Sequence, residues 1–288
     1  MKKFLSVLFF AACVSAEAQI TPSSCNASPA IRAMYRDDAD RMVVRRLYVT
    51  NSPYADSVVI PQNLSDTLLD KLIAVYNATS LPARDSVIVM YNIHTFMDTA
   101  LQIIDVHADS NLAWMQQLHL GNLNTGNAQV DNLITSYNLN LVSYSTNLSL
   151  FFFHSVRFEA DTNINTYALT DMFSSIAGVY ESLPLGWFGS GDDITDSITS
   201  NNVQLTYSYG WGDCPSGCIY NHYWKFIVYP DCSVEYVGSY GEPLPLPTGL
   251  SQEVNKNISA LFPNPATNEI RIQNAELRIE SVEIYDVL

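Results

Sequence analysis

The chain has 288 residues, of which 29 are acidic and 14 basic, for a formal charge of −15. That excess of carboxylates argues against a nucleic-acid partner, which needs clustered Lys and Arg, and against docking on an anionic membrane. Hydrophobic residues reach 48%, yet no apolar run after residue 20 is long enough to span a bilayer as a helix, so no transmembrane anchor is expected.

The chain opens with "MKK", an apolar run "FLSVLFFAACVS" and "AEA" at 16–18. A basic start, a short apolar core and a small-x-small site predict a signal peptide over 1–18, cleaved before Gln19 by the Sec signal peptidase. Its removal takes away Lys2, Lys3 and Glu17, moving the charge to −16. A lipoprotein reading on Cys13 is disfavoured by Phe10. Four cysteines then remain, Cys25, Cys214, Cys218 and Cys232, and an even count in an exported chain reads as disulfides. Three pairings exist. Cys214–Cys218 with Cys25–Cys232 is preferred, and Cys218–Cys232 is the rival, stapling a hairpin.

Residues 19–98 read as a helical region. Ser28 and Pro29 open one amphipathic helix with Ile31, Met34, Tyr35, Met42 and Val43 on one face. Ser65 caps a second, striped by Leu68, Leu69, Leu72, Ile73 and Tyr76. "DSVIVMYNIHTF" has the β-branched run of a strand. Residues 99–191 give strand "LQIIDVHA", helix "NAQVDNLITSYN", strands "LNLVSYST" and "LSLFFFHSVRF", helix "NTYALTDMFSSIAG" with Gly178 as its stop, and strand "VYESLP". In the fourth of these Leu148, Leu150, Phe152 and His154 share a face. The βαββαβ order predicts a ferredoxin-like sandwich.

Residues 192–241 begin inside a Gly- and Asp-rich loop, "GWFGSGDDITDS". "NVQLTYSYGW" places Val203, Leu205, Tyr207 and Tyr209 on one face, and two further strands flank "PDC" as a disulfide-braced β-hairpin unit. A Pro-rich linker, 242–257, separates this from the tail, 258–288. The fold class is therefore α+β.

The tail carries Pro263-Asn264-Pro265-Ala266, a strand with Ile270 and Ile272, and "VEIYDV" at 282–287. It resembles the type A C-terminal sorting domain of type IX secretion cargo, which follows a Pro-rich linker in chains that begin with a Sec leader. The resemblance implies a small β-sandwich read by the outer-membrane translocon, and delivery to the cell surface or medium. The family's tail continues through a Gly-Lys turn and further strands, so at Leu288 an incomplete C-terminal β-sandwich is expected. "VYNATSLPARDSV", "SIAGVYESLPLGWFGSGDDI" and "YGWGDCPSGCIYNHYWKF" are similar to secreted proteins bearing the same tail. Ile176, Gly178 and Val179 also resemble the helix–strand junction of subtilase propeptides, which implies an inhibitory fold as the alternative.

Hydrolase motifs of the G-x-S-x-G, H-E-x-x-H and Walker types are absent from the sequence, so no catalytic residues are assigned. Asp105 and His107 fall on one face of a strand and could pair. Cys214, Cys218, His222 and Cys232 have a zinc-like spacing, but export to an oxidising compartment favours disulfides. Asp192, Asp193 and Asp196 beside two glycines are the one candidate calcium loop; no other cofactor is expected. Trp187, Trp211 and Trp224 form the candidate face for a glycan or protein ligand, against a packing role in a small core. Asp-Ser/Thr-aliphatic triplets at Ser57, Thr67, Ser86, Thr99 and Ser197 resemble O-glycosylation acceptors of bacteria using this secretion route.

Overall fold

The computed structural model describes residues 20–50, 52–146, 153–199, 202–245, 260–262 and 271–273. The expected signal peptide, most of the expected linker, and Pro263, Asn264, Pro265, Ala266 and Ile270 of the expected sorting motif lie outside them, as do Leu148, Leu150 and Phe152. The chain divides into two compact units, Met1–Glu242 and Pro243–Leu288. Helices and two antiparallel sheets make the first unit α+β. The helical, middle and Cys/Trp-rich regions read from sequence all lie within it.

Strand β1 (Ile20–Thr21) leads into α1 (Pro29–Met34) and α2 (Arg36–Thr50). Ser28 caps α1 as expected, its Oγ accepting from the Ile31 N–H. The expected single helix is broken at Tyr35, whose buried ring stacks on His94. Asp37 and Asp38 then supply the carboxylates that favour a fresh helix N-terminus. Helix α3 (Gln62–Asn77) starts after Pro61, one turn before the expected cap. Ser65 is therefore buried in mid-helix, its hydroxyl bonded to Asp40 of α2.

The expected strand over "DSVIVM" is helical. A short α4 (Pro82–Asp85) continues as a π-turn over Ser86–Met90, with Tyr91 N–H donating to Ser86 O at 3.0 Å. Pro82 at the first helical position starts the turn, and only Val87 and Ile88 are buried while Val89 and Met90 stay exposed. Two adjacent inward residues suit a helical turn better than a pleat. Tertiary packing has overruled β-propensity here.

The middle region forms β2 (Ile103–Asp109), α5 (Ala113–His119), α6 (Ala128–Ser136), β3 (Leu139–Ser145), β4 (Phe153–Ala160), α7 (Thr166–Ser174) and β5 (Val179–Pro184). Its sheet runs β3-β4-β2-β5, all antiparallel, so each crossover leaves one strand between the pair it joins. Trp114, Leu118, Leu133, Leu169 and Phe173 cover one face against Val106, Val156 and Phe158. Helix α5 was not expected, and α7 ends at Ser174, four residues before Gly178.

The second sheet, β1-β9-β8-β7-β6, is built from β6 (Asp193–Ile198), β7 (Val203–Trp211), β8 (Tyr220–Val228) and β9 (Val234–Gly241). Strand β6 falls where only a loop was expected. Val203, Leu205 and Tyr207 are buried on one face, as their alternation required, and α2 and α3 pack on this sheet at β6 and β8. The two cysteine pairs at disulfide distance are those of the preferred connectivity. Cys25 and Cys232 are 5.6 Å apart between Cα atoms, Cys214 and Cys218 3.9 Å.

In the second unit β10 (Ala260–Phe262) pairs antiparallel with β11 (Arg271–Gln273), which contains Ile272.

Candidate functional site

Helix α2 buries three charged side chains, Asp38, Asp40 and Arg41. Charges leave water only when partners replace it, and here the partners come mostly from the segment 94–99. Asp38 Oδ1 accepts from both the N–H and Oγ1 of Thr95 at 2.8 Å, and its Oδ2 meets His94 Nδ1 at 2.6 Å. Arg41 donates to Thr95 Oγ1 at 2.8 Å and to the Thr99 carbonyl at 3.1 Å. One turn on, Arg45 bridges Asp98 at 2.9 Å and Asp193 at 2.8 Å, and Arg46 pairs with Asp196. The positions 38, 41 and 45 fall on one helix face. They strap an otherwise irregular segment to α2 and to β6.

That segment lines a cleft of about 600 Å³ together with the β5–β6 loop and the "CPSGC" turn. The β5–β6 loop is rigidly seated. Trp187 N–H donates to Met97 O at 3.0 Å, Ser190 N–H to Cys214 O at 3.0 Å, and Cys218 N–H to Ser190 Oγ at 2.5 Å. A Cβ at Gly186 would stand 2.0 Å from the Asp98 carbonyl oxygen. At Gly189, where φ is +95°, it would stand 2.2 Å from Cys214 O. Glycine is required at both places for close backbone approach. Between these anchors Trp187 is 69% and Phe188 96% exposed. A pinned loop thus holds two large rings in water, an exposed apolar surface of the kind found at interaction sites.

The three tryptophans do not form one face. Trp224 is 3% exposed and packs near Tyr91 and His222, so it belongs to the core. Trp211 is half-buried in a stacked row between Tyr209 and Tyr220, with centroid spacings of 5.6 and 5.7 Å. Only Trp187 lines the cleft.

The calcium reading of the acidic loop also changes. Asp193 and Asp196 are taken by Arg45 and Arg46, while Asp192 accepts from the Gly210 N–H at 3.1 Å. No group of three His, Cys, Asp or Glu side chains that could hold a metal occurs among the described residues. His222 Nδ1 meets the Glu242 carbonyl at 2.8 Å rather than joining the cysteines. Asp105 pairs with Arg157 at 2.7 Å and His107 with Glu181 at 3.3 Å. Of the possible glycosylation sites, Thr99 is 2% exposed and shares a hydrogen bond with Tyr167 Oη, which rules it out as an acceptor.

The electrostatics follow from these contacts. The hydrogen bond to Asp38 raises the His94 imidazole above its ordinary 6.5 despite partial burial. Burial raises Asp192, with only the Gly210 N–H opposing. Tyr35 is pushed up to about 12, by burial first and then by Asp38. For a histidine with a raised folded value, the stabilisation is complete below the unfolded value and is lost as pH rises through the folded one. Replacing Asp38 by Asn is expected to return the His94 titration, followed by proton NMR of its ring, to 6.5 or below, because burial alone then acts. An unchanged midpoint would show that the pair is not formed.

Sequence reasoning missed Asp38, Arg41, Arg45 and His94. The available signal was the charge pattern of "DDADRMVVRR", which sets ionisable residues among apolar ones on a face that must be buried.

No family model matches the chain, and no curated protein or solved structure matches it either.

Proposed function

We propose that the protein is an exported, non-enzymatic binding module that presents the aromatic cleft to a glycan. The observation that carries this reading is the exposure of Trp187 and Phe188 on a loop fixed at both ends. A flat ring stacks on the apolar face of a pyranose, while Asn92, His94, Thr95 and Asp192 in the same cleft offer polar groups to its hydroxyls. Export rests on the leader and on the sorting motif. Sec and signal peptidase would act first, then a type IX translocon, leaving the module on the outer surface or in the medium. Cysteine pairs at disulfide distance support an oxidising destination.

A glycan array is the test. The Trp187→Ala/Phe188→Ala variant is expected to lose at least tenfold in binding while its far-UV circular dichroism is unchanged, since neither ring is buried. Binding by the variant equal to that of the native protein would discard this face.

The propeptide-like reading has one observation in its favour, the antiparallel β3-β4-β2-β5 order with helices on one face. Fold alone is a weak warrant for function. The intact protein failing to slow a panel of subtilases would dismiss it.

A further inference from the structure

We infer that the cleft selects a ligand bearing a basic nitrogen, of which an amino sugar with a free amine is the class that suits its walls. This rests on the glycan-binding reading above and narrows it.

The first ground is Asp192. Its neighbours Asp193 and Asp196 each hold an arginine. Asp192 lines the cleft, is half-buried, and has a single backbone N–H on Oδ1. Its second oxygen has no partner among the described residues. A carboxylate kept partly from water without a counter-charge is costly, and burial accordingly raises its proton affinity. A cationic ligand would remove that cost by supplying the missing charge.

The second ground is His94. Asp38 holds Nδ1, and a carboxylate oxygen accepting there fixes the ring proton on Nδ1. In the neutral ring Nε2 is then an acceptor, unpartnered among the described residues, in the same cleft as Asp192. Two acceptors await donors. The third is the lining itself. Trp187, Phe188 and Phe96 are aromatic and Met97 is polarisable, surfaces that attract cations as well as sugar faces. A chain of net charge −15 adds a long-range field of the right sign.

The ionisable groups around the imidazole are Asp38 and Tyr35 behind it and Arg41 beyond Thr95, while Asp192 lines the same cleft. Lowering the pH adds a proton to His94 and to Asp192 in turn, and each protonation opposes an ammonium.

The test uses the intact protein and three tetrasaccharide probes, from glucosamine, N-acetylglucosamine and glucose, by isothermal titration calorimetry at pH 7.5. The free-amine probe is expected to bind at least tenfold more tightly than the other two. Asp192→Asn, which keeps the Gly210 contact, is expected to reduce it to parity with them while the melting temperature holds. Raising the salt from 50 to 500 mM should weaken the native preference. Equal binding of all three probes overturns the inference and leaves glycan binding standing. A preference for the amine that survives in Asp192→Asn overturns the assignment to this cleft. Binding of none overturns the inference, with the Trp187/Phe188 array then deciding the broader reading separately.

Discussion

Changing Asp38 to Ala is expected to cost about 3–5 kcal/mol of folding stability, the range for removing one partner of a buried charge network. Asp38 is 3% exposed and receives the Thr95 N–H, the Thr95 hydroxyl and the His94 ring. Its loss removes the carboxylate that acts most strongly on the 6%-exposed Arg41, whose hydrogen bonds go to the uncharged Thr95 Oγ1 and Thr99 carbonyl, and leaves Asp37 and Asp98 as the weaker counter-charges. Asp38→Asn should cost less, since an amide can still accept from Thr95. Urea denaturation of the three proteins measures the effect. A loss below about 1 kcal/mol in the Ala variant would mean that water reaches the network and replaces the carboxylate.

The second large effect belongs to the long-range disulfide. Cys25 and Cys232 are separated by 207 positions. Replacing both with Ser is expected to cost about 5 kcal/mol if constraint of the unfolded chain is the main contribution. Folded-state contacts near Cys25 should persist. Ser23 donates to the Ala74 carbonyl at 2.6 Å, and Asn77 donates to the carbonyls of Ser24 and Asn26 at 2.7 and 2.9 Å. The corresponding change at Cys214 and Cys218, which closes a far shorter loop, should cost about 2 kcal/mol by the same relation. Thermal melts of the two double variants compare them directly. Equal losses would contradict an account based on loop length.

How much of this was legible depended on sequence distance. Apart from α5, the β-α-β-β-α-β order of the middle region could be read because elements such as β2 and α6 are amphipathic on their own. Asn127 caps α6, and Val130, Leu133 and Ile134 turn inward together. In β7 a period of two was enough. The signals failed where a distant partner decides the outcome. Val87 and Ile88 look like strand residues until the packing around them sets a helical turn. Ser65 looks like a cap until Asp40, on another helix, claims its hydroxyl. Asp193 and Asp196 looked like metal ligands because a carboxylate cluster does not reveal an arginine 148 or 150 positions away. The cleft was half visible. Trp187 and the Gly-rich loop stood out by composition, whereas the Asp38–His94 pair joins residues 56 apart with no local motif.

The pairing of β1 with β9, and of Cys25 with Cys232, has a temporal consequence. Synthesis makes Cys25 long before Cys214 and Cys218, and Cys232 and the strand against which Ile20 and Thr21 lie come later still. During that interval Cys25 can meet two wrong suitors before its own partner exists. Were the chain oxidised as it emerged, correct pairing would require an isomerase to undo early errors, and one edge of the sheet can close only once β9 has been made.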